Sequence, residues 1–244
     1  MKVRLYTLAV SNPGHAVRLM LERKRIEARI VNLLPGFHPL LLWAMGFRRG
    51  TVPAMRVNGR RIEGSLEIAR ELEALVPEPP LYPADPERRR AVEEAERWGE
   101  AELQPVPRRI FRWALAHDNA PRARMAEQVG MPLPALAGWL SWPTARILAA
   151  RVDADEAHAR STLEALPATL DHVDALIAEG VIGGEEPNAA DFQILSTVRL
   201  IAALQDLAPT VAGRPCDALA RRWLPRMPEA PPFLPAELKA LAGI

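Results

Sequence analysis

The stretch that most restricts how this chain can fold is RGTVPAMRVNGRRIEGSLEIARELEAL, running from Arg49 to Leu75. A proline at 53 precedes a short apolar run. Asn58-Gly59 then separates that run from Arg61-Ile62-Glu63, and Gly64-Ser65 opens an amphipathic segment. Asn-Gly between two strand-like runs is a strong hairpin signal, because a type I′ turn requires positive φ at both central residues. Ser65 stands where a hydroxyl can serve the free amides of a helix start. Leu66, Ile68, Ala69, Leu72 and Leu75 recur at helical spacing. The stretch therefore reads as loop, strand, hairpin, strand, helix, and is expected to help hold whatever the protein binds.

The residues before it predict a βαβ unit. Val3, Leu5, Tyr6, Thr7 and Leu8 form a first buried strand, and Ser11-Asn12-Pro13-Gly14 supplies turn formers and a helix cap. Ala16, Val17, Met20 and Leu21 share one helical face, and Ala28 to Leu33 makes a second strand. Such a unit implies parallel pairing. Leu34-Pro35-Gly36 ends the second strand, and Leu40 to Met45 is long enough for one or two helical turns. The order β-α-β-α-β-β-α defines a compact α/β domain over residues 1–76.

Residues 77–86 hold Pro77, Pro79, Pro80, Pro83 and Pro86, a stiff linker and the expected domain boundary. Strand signals nearly vanish over residues 87–244. Helical patterning runs from Pro86 to His117 with a break near Pro105 and Pro107. It resumes from Ala120 to Trp142, interrupted by Met131-Pro132-Leu133-Pro134. Ala154 to Glu179 is strongly periodic, and Pro167 within it predicts a kink or a fresh helix start. Asn188 to Leu204 is apolar enough for the centre of a bundle. Leu219 to Leu224 adds a short helix, and the proline-bearing tail is expected to wrap a surface.

Composition narrows the function classes. A net charge of +1 over 244 residues argues against nucleic acid and anionic membranes as partners. Apart from Lys2, Lys24 and Lys239, the non-histidine basic residues are all arginine, which suits anion recognition. One cysteine, Cys216, excludes an intrachain disulfide and a multi-cysteine zinc site, and no metal site is expected. The N-terminus lacks a signal-peptide core, and no apolar run nears the ~20 residues of a membrane span. A cytoplasmic protein is expected.

Five motifs, in order and spacing, make the chain resemble a cytosolic glutathione transferase over nearly its full length, closest to the serine-type, theta-like members. These are Ser11 to Val17 (SNPGHAV), Gly36-Phe37-His38, Val52-Pro53, Ser65, and Asn188-Ala189-Ala190-Asp191-Phe192. The resemblance implies a thioredoxin-like N-terminal domain and an all-helical C-terminal domain, a homodimer, glutathione as co-substrate and a small-molecule electrophile. It implies that Ser11 donates to the glutathione sulfur. Val52, ahead of a cis Pro53, would offer its backbone to the peptide, and Ser65 would bind the γ-glutamyl carboxylate. His38 would lie near the glycyl end. Asn12 is a further donor, Arg49 could meet a carboxylate, and Glu63 is the acid nearest the glutamyl end. The family commonly holds Glu or Gln where this chain has Gly64, and its Asn-Pro pair upstream of the cis-proline loop is absent. The alternative reading is a non-catalytic binding or scaffold protein of the same fold. Asn188 and Asp191 form a capping box. Trp98, Phe111, Trp113 and Met125 are core residues that could also line an electrophile pocket. Arg88-Arg89-Arg90 and Arg108-Arg109 are expected on solvated helix faces, and Tyr6 in the core or at an interface.

Overall fold

A computed structural model describes the chain apart from Val10, Pro35, Val129, Pro225, Arg226, Pro228, Pro231 and Ile244. The strand break at Pro35 and parts of the tail thus lie outside the described residues. The N-terminal part contains β1 (Val3–Thr7), α1 (Asn12–Arg23), β2 (Ala28–Asn32), α2 (His38–Ala44), β3 (Ala54–Val57), β4 (Arg60–Glu63) and α3 (Ser65–Leu75). The sheet order is β2-β1-β3-β4; β1 and β2 run parallel, and β3 lies antiparallel to both β1 and β4. The Asn58-Gly59 turn has φ of 47° and 93°, the paired positive values that a type I′ hairpin needs. This is a thioredoxin-like sheet with α1 and α3 packed together against it.

The rest is helical: α4 (Pro86–Trp98), a π-helical turn (Gly99–Leu103), α5 (Pro105–His117), α6 (Asn119–Gln128), α7 (Pro134–Leu140), α8 (Trp142–Ala150), α9 (Glu156–Ala178), α10 (Ala189–Ala203), α11 (Ala208–Val211), α12 (Pro215–Trp223) and α13 (Ala236–Leu241). The expected break near Pro105 is the π turn, after which Pro105 occupies the first turn of α5, where its missing N–H costs nothing. Pro167 does not start a fresh helix. α9 runs through it, anchored by the fully buried Leu163, Leu166 and Leu170 on one face. That anchoring offsets the one intrahelical bond proline removes.

One continuous apolar core joins the two parts. It runs from Leu5, Met55, Ile68 and Leu72 through Leu103 and Ile110 to Leu163, Leu170 and Ile194. α10 lies at its centre, and its only residue not buried is Leu200. Its start carries the expected capping box: Asn188 Oδ1 accepts from the amides of Ala190 and Asp191, and Asp191 Oδ2 accepts from the Asn188 amide at 2.9 Å. Asp191 Oδ1 also accepts from Gly183 N, yet burial pushes its carboxyl up to about 6.

Polar contacts pin the proline-rich segment. Buried Lys24, the C-cap of α1, pairs with Glu73 of α3 and donates to Pro77 O, and Glu73 also accepts from Leu81 N. Leu81 O in turn accepts from the first amide of α10. Tyr82 donates to Glu96 of α4 at 3.0 Å, and Arg70 of α3 reaches the same carboxylate. Cys216 is fully buried, its thiol pushed up to about 12 by burial and by Asp174, which makes it inert. Among the described residues no helix is long and apolar enough to cross a membrane, and no cluster of three side chains could hold a metal ion.

Candidate active site

A cleft of about 630 Å³ opens between the sheet end of the N-terminal part and helices α5, α6 and α10. Its floor follows from chain geometry. β1 ends at the buried Thr7, and α1 begins so close to it that a Cβ on Gly14 would lie 2.0 Å from Thr7 Oγ1. Only glycine fits that approach. Ser11 is the N-cap of α1: its Oγ accepts from Gly14 N at 3.2 Å, and the side chain lines the cleft. A hydroxyl that accepts as a cap keeps its one proton free to donate. Asn12 also borders the cleft, but its Nδ2 donates to Thr197 Oγ1 at 2.9 Å in a buried bond that ties α1 to α10.

The Val52–Pro53 peptide is cis, and both residues line the cleft, with Pro53 O accepting from Gly64 N. A second cis bond, Glu78–Pro79, lies in the linker. Ser65 is buried and faces the cleft from the first turn of α3. Gly64, not Ser65, holds the N-cap position, and no side-chain hydrogen bond closes that turn. The Ser65 hydroxyl is therefore not consumed as a cap.

Gly64 has φ of 101°, and a Cβ there would lie 2.3 Å from Glu67 Oε2 and 3.3 Å from Arg49 Nη1. The space that a side chain at 64 would need is taken by an ion pair, Arg49 Nη1 to Glu67 Oε1 at 2.8 Å. Arg49 meets the Glu67 carboxylate and the Glu63 carbonyl, and lines the cleft. Glu63 does not. Its two carboxylate oxygens accept from the backbone amides of Arg48 and Arg49, each at 2.7 Å, and so brace the loop leading to the cis proline.

His38 lines the opposite end, at the start of α2. Burial, then Arg112 and Arg151, push its imidazole below the ordinary histidine range, and its buried Nδ1 has no hydrogen-bond partner among the described residues. The neutral ring is then the dominant form at pH 7. Phe111 and Met125 line the cleft, whereas Trp98 packs edge-on to His172 and the buried Trp113 stacks on the exposed His117. Tyr6 is buried edge-to-face against Phe47.

The arginines of α5 depart from expectation. Arg108 is half-buried in the cleft wall and donates to Gln104 Oε1, and Arg109 reaches Thr162 and the Val152 carbonyl. Neither sits on a solvated face, because α5 is covered by α8 and α9. Arg88, Arg89 and Arg90 are exposed as expected, with Arg89 paired to Glu93. Glu100, Gln104, Arg108, Arg112 and Arg124 are cleft residues that the motifs did not single out. The spacing 104-108-112 marks one helical face and is the signal that would have found three of them.

Comparisons with known proteins agree with this architecture. Residues 5–80 match the family model for the glutathione S-transferase N-terminal domain. No curated protein matches the chain by sequence. Among solved structures, glutathione transferase F2 from Populus trichocarpa is 15% identical, with 99% of this chain and 97% of that one covered at a TM-score of 0.62. A glutathione S-transferase from Rhodospirillum rubrum F11 is 18% identical over 98% and 99%, with a TM-score of 0.59. A glutathione transferase homolog from sulfitobacter, solved with bound glutathione, is 17% identical over 99% and 97%, with a TM-score of 0.58. A thioredoxin-like domain followed by a helical one is the fold these structures share with the chain, and residues 5–80 match the glutathione S-transferase N-terminal domain.

Proposed function

We propose that this protein is a glutathione transferase-like enzyme of the serine type, with a domain at 1–76, a linker at 77–86 and a helical domain at 87–244. It binds glutathione along the cis-proline edge and activates its thiol for attack on an electrophilic small molecule. The observation that carries the reading is that Ser11 and Ser65, each at the start of a helix, face one cleft beside the cis Val52–Pro53 peptide. The hydroxyl of Ser11 and the positive end of α1 both favour the thiolate over the thiol. The amide end of α3 and the free Ser65 hydroxyl suit the γ-glutamyl carboxylate. Backbone N–H and C=O groups at Val52 pair with the extended peptide, and His38 meets its glycyl end.

Glu67 and Glu100 serve in place of a side chain at 64. The Glu67 carboxylate fills that space, and Glu100 in the cleft feels its charge, so the two together suit the ammonium group of the glutamyl residue. Arg49 neutralises part of this acidic end and orders Glu67. Asn12 and Glu63 then act on glutathione through positioning, the first at the α1–α10 contact and the second behind the loop. The reaction class is conjugation, or a thiol-dependent isomerisation or dehalogenation. The family pattern makes a cytoplasmic homodimer the expected assembly.

A specific observation favours the second reading, a glutathione transferase-fold protein without turnover: the Arg49–Glu67 pair fills the space a side chain at Gly64 would need, where the resembled family commonly holds Glu or Gln. Calorimetry of glutathione binding, followed by a conjugation assay on a panel of electrophiles, separates the two. Saturable binding with turnover supports the enzyme. Binding without turnover supports the scaffold, and no binding at all defeats the glutathione reading.

A further inference from the structure

The wall of the cleft formed by α5 and α6 is basic. Arg108 and Arg112 lie one turn apart on α5, and Arg124 faces the same space from α6. Arg112 donates to the Leu148 carbonyl at 3.0 Å. The charges acting on it come from Arg108 and Arg151, and with burial they push its guanidinium down; no carboxylate offsets them. Arg124 is half-buried and has no hydrogen bond or ion pair among the described residues. Glu100, the one acid that acts on Arg108, belongs to the end occupied by Arg49 and Glu67. Glu229, at the cleft rim, is exposed. Between these arginines the surface is apolar, formed by Pro107, Phe111, Met125, Leu200 and Phe233.

Half-buried guanidinium groups that face a cavity without counter-charge are costly unless an anion completes them. An apolar body beside them sets the shape of that anion. Resting on the reading of the cleft as a thiol-and-electrophile site, we propose that the second substrate is an amphipathic acid: an apolar electrophile whose carboxylate is received by Arg112 and Arg124, with Arg108 alongside. Neutral His38 leaves this role to the arginines. Glutathione also carries a glycyl carboxylate, so the two sources of the same chemistry have to be separated.

The test is calorimetric binding of 4-nitrobenzoate and its neutral isostere 4-nitrobenzamide, with and without saturating S-methylglutathione. The acid is expected to bind at least about tenfold more tightly than the amide under both conditions, as a charge-assisted guanidinium–carboxylate contact implies. Arg112→Gln and Arg124→Gln should each bring that ratio to within about twofold of unity, and Arg124→Lys should retain part of it. Among the described residues Arg124 makes no hydrogen bond or ion pair, so its replacement removes charge without removing such a bond. Equal affinities for acid and amide would overturn the proposal. A preference that vanishes once S-methylglutathione is bound would also overturn it, by assigning the arginines to the peptide's own carboxylate. If S-methylglutathione fails to bind, the thiol reading falls, but acid preference in its absence still upholds the anion site and equal affinities still refute it.

Discussion

Two residues are central to the proposed chemistry, Ser11 as the proposed thiol donor and Gly64 as the position whose side-chain space Glu67 fills. Ser11 caps α1 and lines the cleft, so under the proposed reading its loss acts on stability and on the thiol separately. Gly64 was legible as a departure from the family pattern but not as a space already filled, because the register of Arg49 and Glu67 is set by the preceding loop rather than by local spacing. Restoring the family's usual residue here should harm the protein. Gly64→Glu forces a side chain into a φ of 101° and onto the Glu67 carboxylate, so a loss of about 1–3 kcal/mol in urea unfolding is expected, with weaker glutathione binding. Tighter glutathione binding by Gly64→Glu would show that Glu67 and Glu100 do not replace the missing group.

At the scale of elements, patterns that depend on short-range chemistry translated directly. The Asn58-Gly59 hairpin, the α3 periodicity and the Asn188–Asp191 box each rest on residues within one turn of each other. The fates of Pro167 and of Arg108-Arg109 were not readable, since they depend on which partners cover α9 and α5. The capping box starts the helix on which the core is built, so Asn188→Ala should cost about 1–2 kcal/mol of unfolding free energy. Thermal and urea unfolding should register that loss together. A loss below a few tenths of a kcal/mol would mean that the box is not needed to start α10.

At the scale of the whole molecule, the N-terminal and helical parts share one core and a buried polar joint at Tyr82, Glu96 and Arg70. Burial pushes the Glu96 carboxyl up to about 7 from 4.5, against the pull of Arg70 and the Tyr82 hydroxyl. The folded state therefore takes up a proton that the unfolded chain does not hold between these two values. Glu96 thus adds stability as pH falls through that window and withdraws it as pH rises through about 7. Urea midpoints for wild type and Glu96→Gln should diverge in slope across this range, the variant losing the gain on acidification; parallel profiles would place the titration elsewhere. The fold-level resemblance was readable because five short motifs kept their order, while the basic wall was not, because it forms only when α5 and α6 close over the sheet end. The central claim is that the cleft holds glutathione with Ser11 on its sulfur. It is tested most directly by titrating the ultraviolet absorbance of the bound thiolate against pH in wild type and Ser11→Ala. The account predicts a bound thiol in wild type that ionises well below the ordinary cysteine range near ~8.5, and a rise of about one unit or more in Ser11→Ala. A bound thiol that ionises at its ordinary value in wild type, or identically in both proteins, would contradict it.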